Sequence, residues 1–222
     1  MKLSVVIPAL DEADQIAGAV ASAAVEGIEV LVVDGGSRDG TPERAAAAGA
    51  TVLHTTPGRA RQLGVGAQGA RGDAVLFLHA DSRLPEGWDG AVRDALADPE
   101  ASGGAFGFRF DVYHPALRVI QWGVALRMML FRLPYGDQAI FARRSALEAM
   151  GGVPQAPLME DLDLVRELKR RGRFVMLSQQ VTTSARRYLE EGAWRVSARN
   201  LLAVLAWGLK LDRDRVAAWY RG

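Results

Sequence analysis

Residues 3 to 78 repeat one pattern, in which a short run of aliphatic and β-branched residues is followed by a polar turn and then a stretch of helical periodicity. The runs are Leu3 to Ile7, Val30 to Val33, Thr51 to His54 and Ala74 to Leu78. Helical stretches lie between them at about Asp14 to Val25, Pro42 to Ala48 and Arg59 to Ala70. Strands with no polar alternation are buried on both faces, which calls for a mostly parallel sheet covered by helices. Thr41, Pro42 and Glu43 reinforce the second helix start: an N-cap, a proline at the first helical position and an acid in the first turn.

Beyond about residue 100 the alternation loosens. Gly103 to Phe110 is followed by a long apolar helix, a strand-like run at Gln138 to Phe141, a helix from Asp161 to Arg171 that stops at Gly172, and a strand candidate at Phe174 to Leu177. With 222 residues, 49% of them hydrophobic, the chain can bury a full-sized core, and no low-complexity linker divides it. The expected organisation is a single compact α/β unit over 1–222. Within it, about 1–100 would form a nucleotide-binding half and about 101–190 a half receiving a second substrate, with a helical tail over about 191–222.

Composition removes several classes of function. Without cysteine there are no disulfides, thiolate metal sites or cysteine nucleophiles, and a net charge of +1 gives no field that would drive the chain onto nucleic acid. The lack of cysteine fits a reducing compartment, so the expected location is the cytoplasm, and the run after Met1 and Lys2, too short for a signal-peptide core and β-branched, reads as a first strand. Two stretches are unusually apolar, Ala116 to Leu133 and Leu201 to Leu209. The first carries Arg118, Gln121, Arg127 and Arg132, and the second is far short of the roughly 20 apolar residues a membrane span needs. They read as buried helices or a homodimer face. The competing reading is a peripheral membrane contact that presents a lipid-linked acceptor.

Ligands of a doubly wound sheet bind beyond the carboxyl ends of its strands, and there this chain is polar. The segments are Pro8-Ala9-Leu10-Asp11-Glu12, Asp34-Gly35-Gly36-Ser37-Arg38-Asp39-Gly40-Thr41 and His79-Ala80-Asp81-Ser82. Asp34 is placed to accept a hydrogen bond from a uracil ring or a ribose, or merely to brace a tight turn. Asp81 could hold Mg²⁺ or Mn²⁺ between two phosphates, or cap the helix expected over Pro85 to Leu96. Arg59 and Arg61 open a helix where cations oppose the macrodipole, which hints at an anionic ligand. Glu160 and Asp161 offer carboxylates to accept a proton from a hydroxyl, although acids are favoured in a first helical turn anyway. Asp163 reads as such an acid, facing solvent. Asp137 and Gln138, in Tyr135-Gly136-Asp137-Gln138, could hydrogen-bond a sugar or form a simple turn. Arg186 and Arg187 could clamp a departing diphosphate or be surface charge.

Taken in order, these segments resemble the family 2 glycosyltransferases of the GT-A fold, over nearly the whole chain up to about residue 190. The resemblance is carried by Val5-Val6-Ile7-Pro8-Ala9-Leu10-Asp11-Glu12, Val32-Val33-Asp34-Gly35-Gly36-Ser37-Arg38-Asp39-Gly40-Thr41, His79-Ala80-Asp81 and Glu160-Asp161. It implies a nucleoside diphosphate sugar held by Pro8, Ala9, Glu12, Asp34, Arg59, Arg61, Ala80 and Asp81. It also implies a divalent metal on Asp81 and Asp161 as the base that activates a hydroxyl acceptor, with Gly104, Asp137, Gln138, Glu160, Arg186 and Arg187 near sugar or acceptor. His79 stands where the family's metal motif has its first aspartate, and Asp11 where asparagine is usual. Gly-Arg-Ala-Arg-Gln at residues 58–62, Tyr-Gly-Asp-Gln at 135–138 and Ser-Ala-Arg-Arg at 184–187 are similar to a compact bacterial subgroup, some of it named for arsenosugar biosynthesis, a name that does not identify the substrate.

The implied reaction is one inverting transfer from a UDP- or GDP-linked sugar to a hydroxyl. A nucleotidyltransferase would need a glycine- and Arg/Lys-rich triphosphate loop near the N-terminus, and a nicotinamide dehydrogenase a Gly-x-Gly-x-x-Gly after the first strand. A serine hydrolase would need a Gly-x-Ser-x-Gly elbow. None is present. The non-enzyme alternative is a sensor that keeps the nucleotide pocket without turnover.

Overall fold

The computed structural model describes residues 1–131 and 133–221, so Arg132 lies outside the described residues. In chain order the first half comprises β1 (Leu3–Ala9), α1 (Ala13–Ala23), β2 (Glu29–Asp34), α2 (Thr41–Ala47), β3 (Thr51–His54), α3 (Arg59–Gly69), β4 (Ala74–Phe77), β5 (Ser82–Arg83) and α4 (Trp88–Ala95). The second half comprises β6 (Ala101–Phe110), α5 (Pro115–Phe131), a 3₁₀ turn (Gly136–Gln138), β7 (Phe141–Arg143), α6 (Arg144–Ala149), α7 (Glu160–Arg171), β8 (Arg173–Thr183), α8 (Arg186–Glu191), α9 (Ala193–Gly208) and α10 (Arg213–Arg221). All eight strands join one sheet in the order β3-β2-β1-β4-β7-β6-β8-β5.

The expected α/β class and its mostly parallel sheet are what forms. Strands β3, β2, β1 and β4 are parallel neighbours, and β6 pairs in parallel with β8. Three-residue β7 runs antiparallel to both β4 and β6, joining the two halves into one sheet. Two hydrophobic layers sandwich it. On one face Ile7, Ile16, Val20, Leu78 and Trp88 pack together. On the other, Val6, Val33, Leu63, Leu164 and Leu168 do. Gly66 of α3 lies where a Cβ would overlap the Val6 side chain, so α3 packs unusually close to β1.

Several local expectations change. Helix α2 begins at Thr41 itself and is preceded by Gly40 at φ 89°, so Thr41 is not an N-cap. Its hydroxyl accepts the Glu12 N–H (2.8 Å) and donates to Asp39, stitching the turns after β1 and β2 together. Gln138 belongs to the 3₁₀ turn, and the strand expected there starts at Phe141. The strand expected over Phe174 to Leu177 runs through Thr183. Helix α4 starts seven residues after Asp81, and Ser82–Arg83 between them pairs with β8, so Asp81 is not a helix cap.

The two apolar stretches are not ordinary buried helices. Trp122 of α5 is 76% exposed, and Val119, Leu126, Leu201, Leu202 and Leu205 are each more than half exposed. A small third core made by Phe108, Phe110, Leu117 and Ala185 secures the inner side of these elements. Among the described residues no helix is long and apolar enough to cross a membrane.

Candidate functional site: a charged pocket at the strand ends

A pocket of about 620 Å³ opens where β1 and β4 end and α3 begins. β1 delivers Pro8, Ala9 and Glu12 to its wall, β4 delivers His79, Ala80 and Asp81, and α3 delivers Arg59 and Gln62, while Arg186 and Arg187 close it from the second half. This is the crevice that a parallel sheet leaves beyond its carboxyl ends. Glu12 accepts a hydrogen bond from Arg186 at 3.2 Å, joining the first segment of the chain to one 174 residues later. Burial, with help from the nearby Asp81 charge, raises the Glu12 pKa above its ordinary value. Burial also raises that of Asp81, whose carboxylate accepts the Ser82 hydroxyl at 3.2 Å.

Asp34, at the end of β2, is buried and not part of the pocket lining, and its side chain is closely committed. It accepts the Gly36 and Ser37 N–H groups (2.9 and 3.2 Å) and the Ser37 hydroxyl, and His54 Nδ1 lies 3.5 Å away. Burial pushes its pKa upward, but these hydrogen bonds outweigh it and hold the carboxyl below its usual range. The turn-bracing role is therefore real. Asp11 adopts φ 52°, a left-handed conformation that Asn and Asp tolerate better than most residues, so the Asn-to-Asp departure leaves this turn's geometry intact. Its carboxylate accepts the Arg38 N–H at 2.8 Å.

Arg59 links the two halves. Its Nε lies 3.0 Å from Glu160 and its Nη2 3.9 Å from Asp161, and it also bonds His79 Nε2. Burial would lower its pKa, but Glu160, Asp161, Asp137 and Asp81 more than compensate, and the guanidinium stays charged. Burial and that guanidinium press His79 well below its ordinary value, so the imidazole is neutral at pH 7 and accepts the Arg59 hydrogen bond. Arg61 points elsewhere: it bonds the Thr56 hydroxyl and lines an adjoining hollow beside Gln155 and Glu160.

Asp161 is 7% exposed, and its Oδ2 accepts the Gly136 N–H at 2.6 Å, which ties the start of α7 to the 3₁₀ turn. Both segments carry backbone that side chains rarely adopt, with Met159 at φ 59° before the acidic pair and Ala139 at φ 43° after the turn. Such geometry persists only where surrounding contacts enforce it, and it clusters at functional sites. Asp137 lies among Asp161, Arg59, Arg127 and Asp81. Burial, opposed by Arg127 and reinforced by Asp161, raises its pKa to about 6.

Three expectations about individual residues fail on geometry. Gln138 is wholly buried: its Oε1 accepts from Arg127 and the Tyr135 N–H, its Nε2 donates to the Phe106 carbonyl, and it frames the turn without facing the pocket. Gly104 lies inside the sheet, where a Cβ would overlap the Val175 carbonyl and the Phe141 ring, so its role is close packing. Asp163 is 7% exposed and does not face solvent; it holds Arg166, Trp207 and Arg213. Sequence reasoning also passed over Gln62, whose Nε2 donates to the carbonyls of Ala9 (2.8 Å) and Val33 (2.9 Å), pinning two strand ends. Its spacing of three from Arg59, one helix face, was the available signal.

The family model of glycosyl transferase family 2 matches residues 4–147, well over half of the chain. The chain belongs to glycosyl transferase family 2. Over 92 residues it is 39% identical to the glucosyl-3-phosphoglycerate synthase of Mycolicibacterium paratuberculosis, a match covering 36% of this chain and 28% of that protein. The fold is also that of solved glycosyltransferases. A mannosyltransferase from Pyrobaculum calidifontis, solved with GDP-Man and Mn²⁺, superposes with a TM-score of 0.70 at 20% identity, over 91% of this chain and 62% of that one. The glucosyl-3-phosphoglycerate synthase of Mycobacterium tuberculosis, solved with Mg²⁺ and UDP, does so with a TM-score of 0.67 at 22% identity, over 95% of this chain and 80% of that one. This chain thus spans less than two thirds of the mannosyltransferase and of the curated relative. The family-2 chain described here therefore has the fold of these solved glycosyltransferases, the GT-A architecture.

Proposed function

We propose that the chain transfers one sugar, with inversion, from a UDP- or GDP-linked donor to a hydroxyl acceptor. The observation that carries this reading is the chain of charge from Glu12 and Arg186 across Asp81 to Arg59 and on to Asp161. It joins a pocket suited to an anionic nucleotide to a buried carboxylate suited to proton transfer. Pro8, Ala9, Glu12 and Asp34 would hold base and ribose; Ala80, Arg59 and Arg186 would face the diphosphate and sugar, with Arg187 flanking them, while Arg61, turned to the adjoining hollow, would act only by adding positive charge near the site.

Asp161 would take the acceptor proton as the acceptor oxygen bonds to the anomeric carbon and the bond to the diphosphate breaks, the electron pair leaving with the phosphate oxygen. Arg59 and Arg186 would offset the charge growing on that oxygen. Glu160 holds Arg59 in place, and Asp137 lines the approach of the acceptor. Asp81 suits Mg²⁺ or Mn²⁺, because its pocket-lining carboxylate, whose Oδ1 accepts the Ser82 hydroxyl, keeps acceptor capacity for a cation that takes its other ligands from phosphate and water oxygens. When bound, the cation supplies charge neutralisation for the leaving diphosphate. Among the described residues no cluster of three acidic or histidine side chains offers a site built by protein alone. The similar enzymes solved in complex with GDP-Man and Mn²⁺ or with UDP and Mg²⁺ support the donor class and the metal. Exposed apolar faces on α5 and α9 support a lipid-linked acceptor met at a membrane surface inside the cytoplasm.

A thermal-shift screen of UDP, GDP and dTDP sugars with and without Mn²⁺ tests the donor half. A nucleotide at a hundredfold excess over its Kd should add about 2.7 kcal/mol of stability, a rise of several degrees. Asp81→Asn should remove the further increment given by Mn²⁺. Asp161→Asn should slow transfer about 10² to 10⁴-fold at unchanged nucleotide affinity. A chain whose melting temperature no nucleotide moves is not this enzyme.

A further inference from the structure

A second cleft, of about 450 Å³, lies between α5 and α9 and shares none of its lining with the donor pocket. Its volume is within the roughly 300–1,000 Å³ of small-molecule sites. The outer residues Val119, Trp194 and Leu201 are each more than half exposed, while Ile120, Val124 and the buried Phe108 continue the apolar wall inward. Asp137, Tyr135 and Tyr188, each half-buried, add polar groups to the same lining.

Two details point to a ligand here rather than to an idle groove. Arg127 Nε and Ser197 Oγ, both from lining residues, are buried without a hydrogen-bond partner among the described residues. A polar group buried unpaired forfeits its hydration with nothing in exchange, so two in one cleft are groups that a bound molecule would satisfy. The polar groups of the lining also abut the proposed chemistry, since the Asp137 carboxyl lies within the field of Asp161. Asp137 directly follows Gly136, whose N–H holds the Asp161 carboxylate at 2.6 Å.

We infer that this cleft is the acceptor site and that the acceptor is an alcohol bearing an aliphatic chain. The hydroxyl lies beside Asp137, within the reach of Asp161, and the chain runs along α5 and α9 to the open mouth. An apolar wall with a few polar groups in the same lining selects an amphipathic molecule and rejects a free sugar or a phosphorylated glycerate, whose polar groups would go unpaired along the wall. The inference rests on the proposed reading of the donor pocket and of Asp161.

The test titrates straight-chain primary alcohols, butanol to decanol, into the whole chain with nucleoside diphosphate present, and reads binding by calorimetry and tryptophan fluorescence. Each methylene should tighten binding about fourfold until the cleft is filled. Gly123→Phe supplies a plug: Gly123 lines the cleft within α5, and a Cβ there meets nothing within 4 Å. That variant should weaken decanol binding at least tenfold and leave nucleotide affinity unchanged, while Gly208→Phe, equally open but outside the cleft, should change neither. Affinity independent of chain length in the unmodified chain would overturn the inference, as would Gly123→Phe binding decanol normally. So would sedimentation showing a dimer that Gly123→Phe dissociates, since a second copy would then fill the cleft. Failure of nucleotides to bind, with the alcohol series behaving as expected, would instead remove the donor reading and leave the cleft.

Discussion

A single carboxylate can cost stability and still be kept for its position. Asp137 is such a residue, because its folded pKa of about 6 lies above the 3.8 of an unperturbed aspartate. The folded state therefore holds the proton more tightly than the unfolded one. Between about pH 4 and pH 6 the folded chain loses stability as pH rises, and the loss is complete above that window. Asp137→Asn should accordingly stabilise the fold at pH 8 by about 1–2 kcal/mol, after discounting for the partial solvent access of the site, read as a higher melting temperature. The gain should fade on titrating toward pH 4. A difference between variant and parent that stays constant from pH 4 to pH 8 would mean that the charge of Asp137 is not what burial opposes. The same substitution should slow transfer, since stability surrendered at one residue is commonly the mark of function.

At the scale of elements, glycine placement decides how closely the two halves join. At Gly104 of β6 a Cβ would overlap backbone of β8 and the ring of Phe141 on β7, neither of which can move without opening the sheet. Gly104→Ala should destabilise the fold by about 1–3 kcal/mol or more, an overpacking penalty, seen as a lower midpoint in urea at unchanged slope. An unchanged midpoint would show that β6 and β7 yield where the geometry says they cannot. These elements also explain which parts of the fold were legible. Strands β1, β2 and β4 announce themselves because both faces are buried and Val5, Val32 and Leu76 leave no polar alternation to misread. β7 is three residues long, and its neighbour Gln138 is polar yet fully buried, so pattern alone drew the strand too early. The pocket was legible as polar strand ends in order, whereas the Glu12 to Arg186 pair, 174 residues apart, depends on a fold that spacing does not encode.

For the molecule as a whole, α7 works in two directions. Glu160 and Asp161 meet Arg59, while Asp163, about 200° further round the helix from Asp161, turns toward the C-terminal helices. There it accepts the Trp207 indole N–H at 3.0 Å and Arg166 at 2.9 Å, and pairs with Arg213, whose guanidinium also reaches the Met159 carbonyl at 3.4 Å. No first-turn acid reveals such partners in sequence, because they arrive 44 and 50 residues later. Asp163→Ala would strand a half-buried guanidinium and a partly buried indole N–H. The expected cost is about 2–3 kcal/mol, less than the roughly 3–5 of a fully buried pair because Arg213 retains some solvent. Hydrogen exchange should quicken in α9 and α10 while β1 and β2 keep their protection. If α9 also forms the acceptor wall, KM for acceptor should rise several-fold at unchanged nucleotide affinity. Uniformly faster exchange would mean that Asp163 braces the core. Unchanged exchange would mean that α9 and α10 are held by their apolar contacts alone. Selective loosening with a selective acceptor defect is the outcome expected if one buried aspartate couples the proposed base to the wall against which its substrate rests.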